Sequence, residues 1–251
     1  MYRVGIDIGS AAAKVIVMSG GGREILYNLL MPTGWSSKET AFSIQSWLKE
    51  RKITTDNSHI TATGYGRVSV PFAHKVVTEI TCHGRGAYYL NEKDCTVIDI
   101  GGQDTKIIAV KDGIVTNFIM NDKCSAGTGR FLEIMANTLG VTLKEIFDLA
   151  ERGNEVSISS MCTVFAESEV ISLIGNGRPK EDIAWGVVNS IVNKVYTLST
   201  KLNSDNDNFF LTGGFCESRY MCDQLGKKLK KIVNSNNMAR YAGAVGAALS
   251  K

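Results

Sequence analysis

Val4-Gly5-Ile6-Asp7-Ile8-Gly9-Ser10-Ala11-Ala12-Ala13-Lys14 sets a frame that this chain uses twice. Ninety-two residues on, Val97-Ile98-Asp99-Ile100-Gly101-Gly102-Gln103-Asp104-Thr105-Lys106 repeats it: Asp-Ile-Gly, four residues, then Lys. Each copy follows an apolar run and precedes another, Val15-Ile16-Val17 or Ile107-Ile108-Ala109-Val110. That reads as strand, glycine turn, strand. A turn comes next, Gly20-Gly21-Gly22 or Lys111-Asp112-Gly113, and then a third strand, Glu24–Leu30 or Val115–Met120. Two unrelated hairpins sharing glycines would not match at both ends, so the repeat is read as a duplicated three-stranded meander.

Around the meanders the pattern alternates between strands and helices. Helical spacing covers Glu39–Leu48, Thr78–Leu90, Thr163–Ile174, Ile183–Leu202, Tyr220–Leu229 and the Ala- and Gly-rich Tyr241–Leu249, a close-packing helix. A further helix runs past Glu133 to Leu139, and Thr142-Leu143-Lys144-Glu145 is a capping box opening another. Ile60–Thr63, Ile158–Met161 and Phe209–Thr212 read as short strands. The class is α/β. No low-complexity linker separates the halves, so they are expected to share a cleft.

The chain has 251 residues, 44% hydrophobic and 21% charged, with net charge +3. That charge is too small to argue for nucleic acid. No run reaches the roughly 18 apolar residues of a membrane helix. Met1–Asp7 lacks the apolar core of a signal peptide, so a cytoplasmic protein is expected. The six cysteines are Cys82, Cys95, Cys124, Cys162, Cys216 and Cys222, with no Cys-x-x-Cys among them. A self-contained zinc ribbon or ferredoxin-type cluster is therefore disfavoured.

A strand–turn–strand with Asp and then Gly at the turn suits a nucleotide. Glycine lets backbone N–H groups approach phosphate, and the carboxylate holds Mg²⁺, usually through water. Asp7, Gly9, Ser10 and Ala11 would form one jaw and Asp99, Gly101 and Gly102 the other. Leu211-Thr212-Gly213-Gly214 is the third element, where paired glycines after a buried strand allow a flat base to approach the backbone. Cys124-Ser125-Ala126-Gly127-Thr128-Gly129 reads as a cysteine at the mouth of a helix N-terminus, where backbone N–H groups favour negative charge and a thiolate metal ligand. Cys162 likewise precedes a helix. The other four cysteines have no such setting and are read as structural.

Together with Ala62-Thr63-Gly64-Tyr65-Gly66-Arg67 and Cys162-Thr163-Val164-Phe165-Ala166-Glu167-Ser168-Glu169, these motifs resemble the 2-hydroxyacyl-CoA dehydratase activators, the component A proteins, within the acetate/sugar kinase–Hsp70–actin superfamily. The resemblance covers nearly the whole chain. It implies an actin-like ATPase fold, two ribonuclease-H-like lobes with mixed sheets flanked by helices around a nucleotide cleft. The lobes would be residues 1–92, completed by a C-terminal helix over 238–251, and 93–237, carrying the cluster cysteines. It also implies ATP/ADP, Mg²⁺ and one [4Fe–4S] cluster per homodimer, held by Cys124 and Cys162 of each subunit. The activity implied is ATP-gated one-electron transfer from a ferredoxin or flavodoxin to a dehydratase or a double-cubane cluster protein.

Roles follow on that basis. Asp7 and Asp99 would position Mg²⁺ or its waters, Gly9, Ser10, Gly101 and Gly102 would contact phosphates, and Gln103 and Asp104 would orient the attacking water. Gly127, Thr128 and Gly129 would link cluster loop to nucleotide, Glu133 would reach the ribose, and Gly213 and Gly214 would flank the base. After those glycines the chain reads Phe215-Cys216-Glu217-Ser218, where the family pattern has a small or aliphatic residue and a nearby Asn; this leaves the adenosine contacts open. The alternatives are a small-molecule kinase of the same superfamily, for which this length leaves little room for a substrate domain, and a non-catalytic ATP-responsive scaffold.

Overall fold

A computed structural model describes residues 1–250 apart from Arg23, Asp122, 159–161 and 203–205. The first meander is β1 (Tyr2–Ile8), β2 (Ala12–Met18) and β3 (Ile25–Pro32). Helix α1 (Ser37–Glu50), β4 (Ser58–Thr63), a 3-10 turn at Arg67–Ser69, β5 (Lys75–Val76) and α2 (Glu79–Asn91) follow. The second meander is β6 (Cys95–Ile100), β7 (Thr105–Lys111) and β8 (Ile114–Asn121). Then come α3 (Gly129–Leu139), α4 (Leu143–Ala150), α5 (Thr163–Gly175), α6 (Lys180–Leu202), β9 (Asn208–Gly213), α7 (Arg219–Leu229) and β10 (Ile232–Asn234). A 3-10 turn at Ala239–Tyr241 leads into α8 (Ala242–Ala248).

The duplication extends to whole sheets. One sheet has the order β3-β2-β1-β4-β5 and the other β8-β7-β6-β9-β10. In the first, β1 pairs antiparallel with β2, placing Asp7 opposite Lys14, and parallel with β4. In the second, β9 and β10 are parallel. Contacts divide the chain into two compact units, Met1–Val97 with Ile108–Phe118 and Asn237–Lys251, and Ile98–Ile107 with Ile119–Asn236.

In the first unit, Val4, Ile6, Val15 and Val17 pack against Ile44 and Leu48 of α1. Ile16 and Met18 face the opposite way, onto Ala244, Val245 and Ala248 of α8. A sheet covered on both faces explains why β1 and β2 read as continuous apolar runs rather than alternating ones. The small residues of α8 serve close approach: a Cβ on Gly5 would lie 1.8 Å from the Ala244 carbonyl oxygen, and one on Gly246 would lie 1.8 Å from that of Cys82. In the second unit, α6 buries Ile183, Val187, Ile191 and Val195 and packs beside α4 and α7. The capping box at Thr142 and Glu145 forms with both reciprocal bonds, and the backbone N–H of Thr142 holds the Glu145 carboxyl below its usual range.

Three differences from the sequence reading have simple causes. The strand β5 is two residues long, too short for any periodic pattern. The C-terminal helix divides at Tyr241 into a 3-10 turn and α8. Ile158, expected in a strand, is irregular, and the rest of that stretch lies outside the described residues. Among the described residues no helix is long and apolar enough to cross a membrane.

Candidate functional site

The first hairpin closes by a Gly9 N–H bond to the Ala12 carbonyl at 3.1 Å, and the Thr33 hydroxyl donates to the Gly9 carbonyl at 2.8 Å. Gly9 and Ser10 are half-buried and Ala11 is exposed, so the turn is open to a ligand. Asp7 lies beneath it, buried. Two glycines box in its carboxylate: a Cβ on Gly64, where φ is +84°, would lie 2.4 Å from Oδ1, and one on Gly243 would lie 2.8 Å from Oδ2. Lys14 Nζ lies 3.5 Å from Oδ2, while Oδ1 is buried with no hydrogen-bond partner. Gly64 directly follows β4 in the Ala62–Arg67 motif, whose sequence alone marked only a family resemblance.

The second hairpin repeats this construction in the other unit. Gly101 N–H bonds the Asp104 carbonyl at 2.9 Å. Asp99, Asp104 and Lys106 are all buried. Lys106 Nζ donates to Asp104 Oδ1 at 2.5 Å and to Asp99 Oδ2 at 3.4 Å. The Thr212 hydroxyl donates to Asp99 Oδ1 at 2.8 Å, tying β9 to β6. Gly213 adopts φ +85° and a Cβ there would lie 2.3 Å from the Ile100 carbonyl oxygen, a position only glycine fills. Gln103 is exposed at the tip. Asp7 Oδ1 and Asp104 Oδ2 are both buried carboxylate oxygens without a donor, which fits hydrated Mg²⁺ as a source of donors.

Gly214 is exposed beside a cavity of about 500 Å³ whose walls include Leu143, Lys144, Phe147, Phe215 and Tyr220. Phe215 is buried and meets Phe147 of α4 edge-to-face, ring centroids 5.5 Å apart. Here Phe215 therefore faces its own unit's α4, an arrangement that required the contact with Phe147 to be seen. The volume lies in the range of small-molecule pockets.

The cysteine loop is wired to the second hairpin. Gly129 N–H donates to the Gly101 carbonyl and Arg130 N–H to the Gly102 carbonyl, each at 2.8 Å. The Thr105 hydroxyl donates to the Gly127 carbonyl at 2.7 Å. Gly127 takes φ +86° against the side chain of Lys194. Thr128 caps no α3 amide with its side chain; its hydroxyl donates to the Ser125 carbonyl at 2.6 Å. These bonds change one expectation. Two of the four unpaired N–H groups at the α3 N-terminus are spent on the hairpin, and Cys124 stands five residues ahead of the helix, its carbonyl held by the Asn121 amide at 2.9 Å. Glu133 sits on the α3 surface in an ion pair with Arg130 at 3.2 Å.

Cys162 does occupy a helix terminus, as the N-cap of α5, and makes no side-chain cap bond. A Ser, Thr or Asp there would contribute about 1 kcal/mol, so the local rule is broken where chemistry is expected. Ser125 and Thr163, the residues after the two cysteines, share a 2.8 Å hydroxyl bond, and Thr138 donates to Glu167 at 3.3 Å. Cys162 is exposed and Cys124 half-buried, whereas Cys82, Cys95 and Cys216 are buried. Burial pushes the thiols of Cys82 and Cys95 up to about 11. At pH 8 only about one in a thousand of each would be thiolate. In reduced, iron-free protein, maleimide is expected to label Cys124 and Cys162 first; peptide mapping that found Cys82 or Cys95 labelled as fast would contradict this.

A family model described as the BadF/BadG/BcrA/BcrD ATPase family matches residues 4–250. The chain belongs to this family. It is 41% identical to the (R)-2-hydroxyglutaryl-CoA dehydratase activating ATPase of Acidaminococcus fermentans, over 99% of this chain and 96% of that one. The crystal structure of that organism's component A superposes with a TM-score of 0.93, covering 99% and 96% of the two chains at 40% identity. The activator of 2-hydroxyisocaproyl-CoA dehydratase from Clostridium difficile, solved with bound ADPNP, superposes at 0.91, with 34% identity and 99% and 93% coverage. A ROK family glucokinase from Streptomyces griseus, 14% identical with a TM-score of 0.62 and 99% and 98% coverage, shares the fold alone. The fold of this BadF/BadG/BcrA/BcrD family member is the actin-like ATPase fold that the resemblance implied.

Proposed function

We propose that this chain is an ATP-driven, one-electron activator of a 2-hydroxyacyl-CoA dehydratase or a related double-cubane cluster protein. Two copies would hold one [4Fe–4S] cluster, each supplying Cys124 and Cys162. When bound, the cluster supplies a single low-potential electron, taken from a ferredoxin or flavodoxin in the cytoplasm. The observation that carries the reading is the backbone wiring of the Cys124 loop to the Gly101–Gly102 turn, by the Gly129, Arg130 and Thr105 bonds. A turn that shifts with the phosphates it contacts would pull on the loop that carries a ligand.

The rest of the chain supports this assignment. Gly9, Ser10, Ala11, Gly101 and Gly102 are proposed as phosphate contacts, Asp7, Asp99 and Asp104 as Mg²⁺ and water contacts, and Gly213, Gly214 and the adjoining cavity as the base site. Gln103 would orient water from its exposed tip. One chain offers two thiols in the cluster motifs, Cys124 and Cys162, where a cluster takes four, and a two-fold axis would supply the rest. Beside Cys162 on α5, Val164 is 66% and Phe165 67% exposed, with Ile171 a further two turns on. Large apolar residues next to a proposed ligand suit burial against a second copy.

The experiment is iron and acid-labile sulfide content, measured without oxygen against solution mass. About four iron per dimer is expected. A protein that stays iron-free and monomeric after anaerobic reconstitution would refute the reading and leave a superfamily kinase or a scaffold.

A further inference from the structure

Lys14 and Lys106 hold the same place in the repeated frame, seven residues after Asp7 and Asp99. Their surroundings differ. The Lys14 side chain is 20% exposed and lies 3.5 Å from Asp7, whereas that of Lys106 is 2% exposed and contacts two carboxylates. One sequence difference accompanies this: Ala12 in the first frame corresponds to Asp104 in the second. A buried ammonium is costly unless paired and hydrogen-bonded, so Lys106 is tolerable only with these partners. Two carboxylates and one ammonium leave the group a net charge of −1.

The four carboxylate oxygens are not equivalent. Asp99 Oδ1 accepts from Thr212, Asp99 Oδ2 and Asp104 Oδ1 accept from Lys106, and Asp104 Oδ2 is buried with no hydrogen-bond partner. The Gly101 backbone also lies close to Asp104, since a Cβ on Gly101 would lie 2.5 Å from its Oδ1. We infer that Lys106 and Thr212 are positioning residues for nucleotide hydrolysis. They hold Asp99 and Asp104 in one rigid group whose remaining acceptor, Asp104 Oδ2, takes a proton donor from outside the protein: a water bound to Mg²⁺ or the water that attacks the terminal phosphate. The inference rests on reading this hairpin as the nucleotide site. It also explains why the second hairpin carries an acidic residue where the first has Ala12: Asp104 is the second carboxylate that the buried Lys106 contacts.

The test uses the full-length, anaerobically reconstituted protein. Phosphate release from Mg·ATP is followed as a function of Mg²⁺, alongside equilibrium binding of ADP. Thr212→Val keeps the volume and removes the donor. It is expected to lower kcat by about 10–100-fold, as loss of an outer-shell partner does, with ADP affinity nearly unchanged. Thr212→Ser restores the hydroxyl and should recover most of the rate. Lys106→Met alone strands two buried carboxylates and is expected to fold poorly, so it is paired with Asp104→Asn. That double variant should fold, bind ADP and remain slow at every Mg²⁺ concentration. Wild-type turnover and Mg²⁺ dependence in Thr212→Val, or a Thr212→Ser protein as slow as Thr212→Val, would overturn the inference. A wild-type chain that hydrolyses no ATP with cluster and acceptor present would overturn the proposed function itself.

Discussion

Cys162→Ser protein, reconstituted with iron and sulfide in the absence of oxygen, is expected to be colourless and to deliver no electrons, while still binding ADP. The loss should exceed the roughly 10–100-fold that a change behind the ligands costs, because a thiolate bond itself is removed. Cys162 is the exposed N-cap of α5, with no role in packing and no cap bond to lose, so the fold has little reason to fail. Cys124→Ser should behave alike at the iron. It differs in one respect: Cys124 lies in the loop whose Gly127 and Gly129 contact the second hairpin, so a small change in nucleotide affinity is expected there and not at Cys162. Cys222→Ser is the control, since burial pushes that thiol up to about 11 and the resemblance gives it no ligand role. Iron content and colour read the ligands, and ADP binding reads the fold. A normal cluster in both Cys124→Ser and Cys162→Ser would refute the ligand assignment.

The duplicated frame was legible because it is local. Asp7, Gly9 and Lys14 fall within eight residues, and so do Asp99, Gly101 and Lys106. Their strands carry continuous apolar runs that mark sheets covered on both faces. Matching sheet orders then followed from matching local sequence. The bonds that make a site of these hairpins were not legible. Thr212 reaches Asp99 across 113 residues and Ser125 reaches Thr163 across 38, and contacts at such separations leave no period in the sequence. The lysines were visible only as part of a repeat. Nothing local says that one would be buried between two carboxylates, since that depends on Asp104 standing where the first copy has Ala12. The α3 terminus misled for a related reason. A glycine-rich turn before a helix is an anion-site signature, but the hairpin carbonyls of Gly101 and Gly102 are nearby acceptors and take the first two amides. Only Cys162 keeps the helix-terminus position that sequence reading assigned to both cysteines.

Asp99→Asn protein is expected to retain its cluster and lose ATP hydrolysis. The substitution keeps the side-chain shape, so Thr212 and Lys106 retain a partner atom to pack against, and Lys106 keeps Asp104. What is lost is charge. The buried group of Asp99, Asp104 and Lys106 goes from a net −1 to neutral, which removes its attraction for a divalent cation. Turnover of Mg·ATP should fall roughly 10²–10⁴-fold, the range for removal of a positioned catalytic group. Iron should stay at about four per dimer, because no proposed ligand is touched. Chemical reduction of the cluster should still succeed, but delivery of the electron to the acceptor should stop, since the proposed coupling requires the nucleotide to bind two conformations differently. The pattern distinguishes three cases. Loss of turnover with iron intact places Asp99 in the hydrolytic site. Loss of both iron and turnover would make its role structural, as the support of the hairpin that holds the Cys124 loop. Unchanged turnover would remove the second hairpin from the chemistry, and with it the reason for linking Gly101 and Gly102 to the cysteine loop.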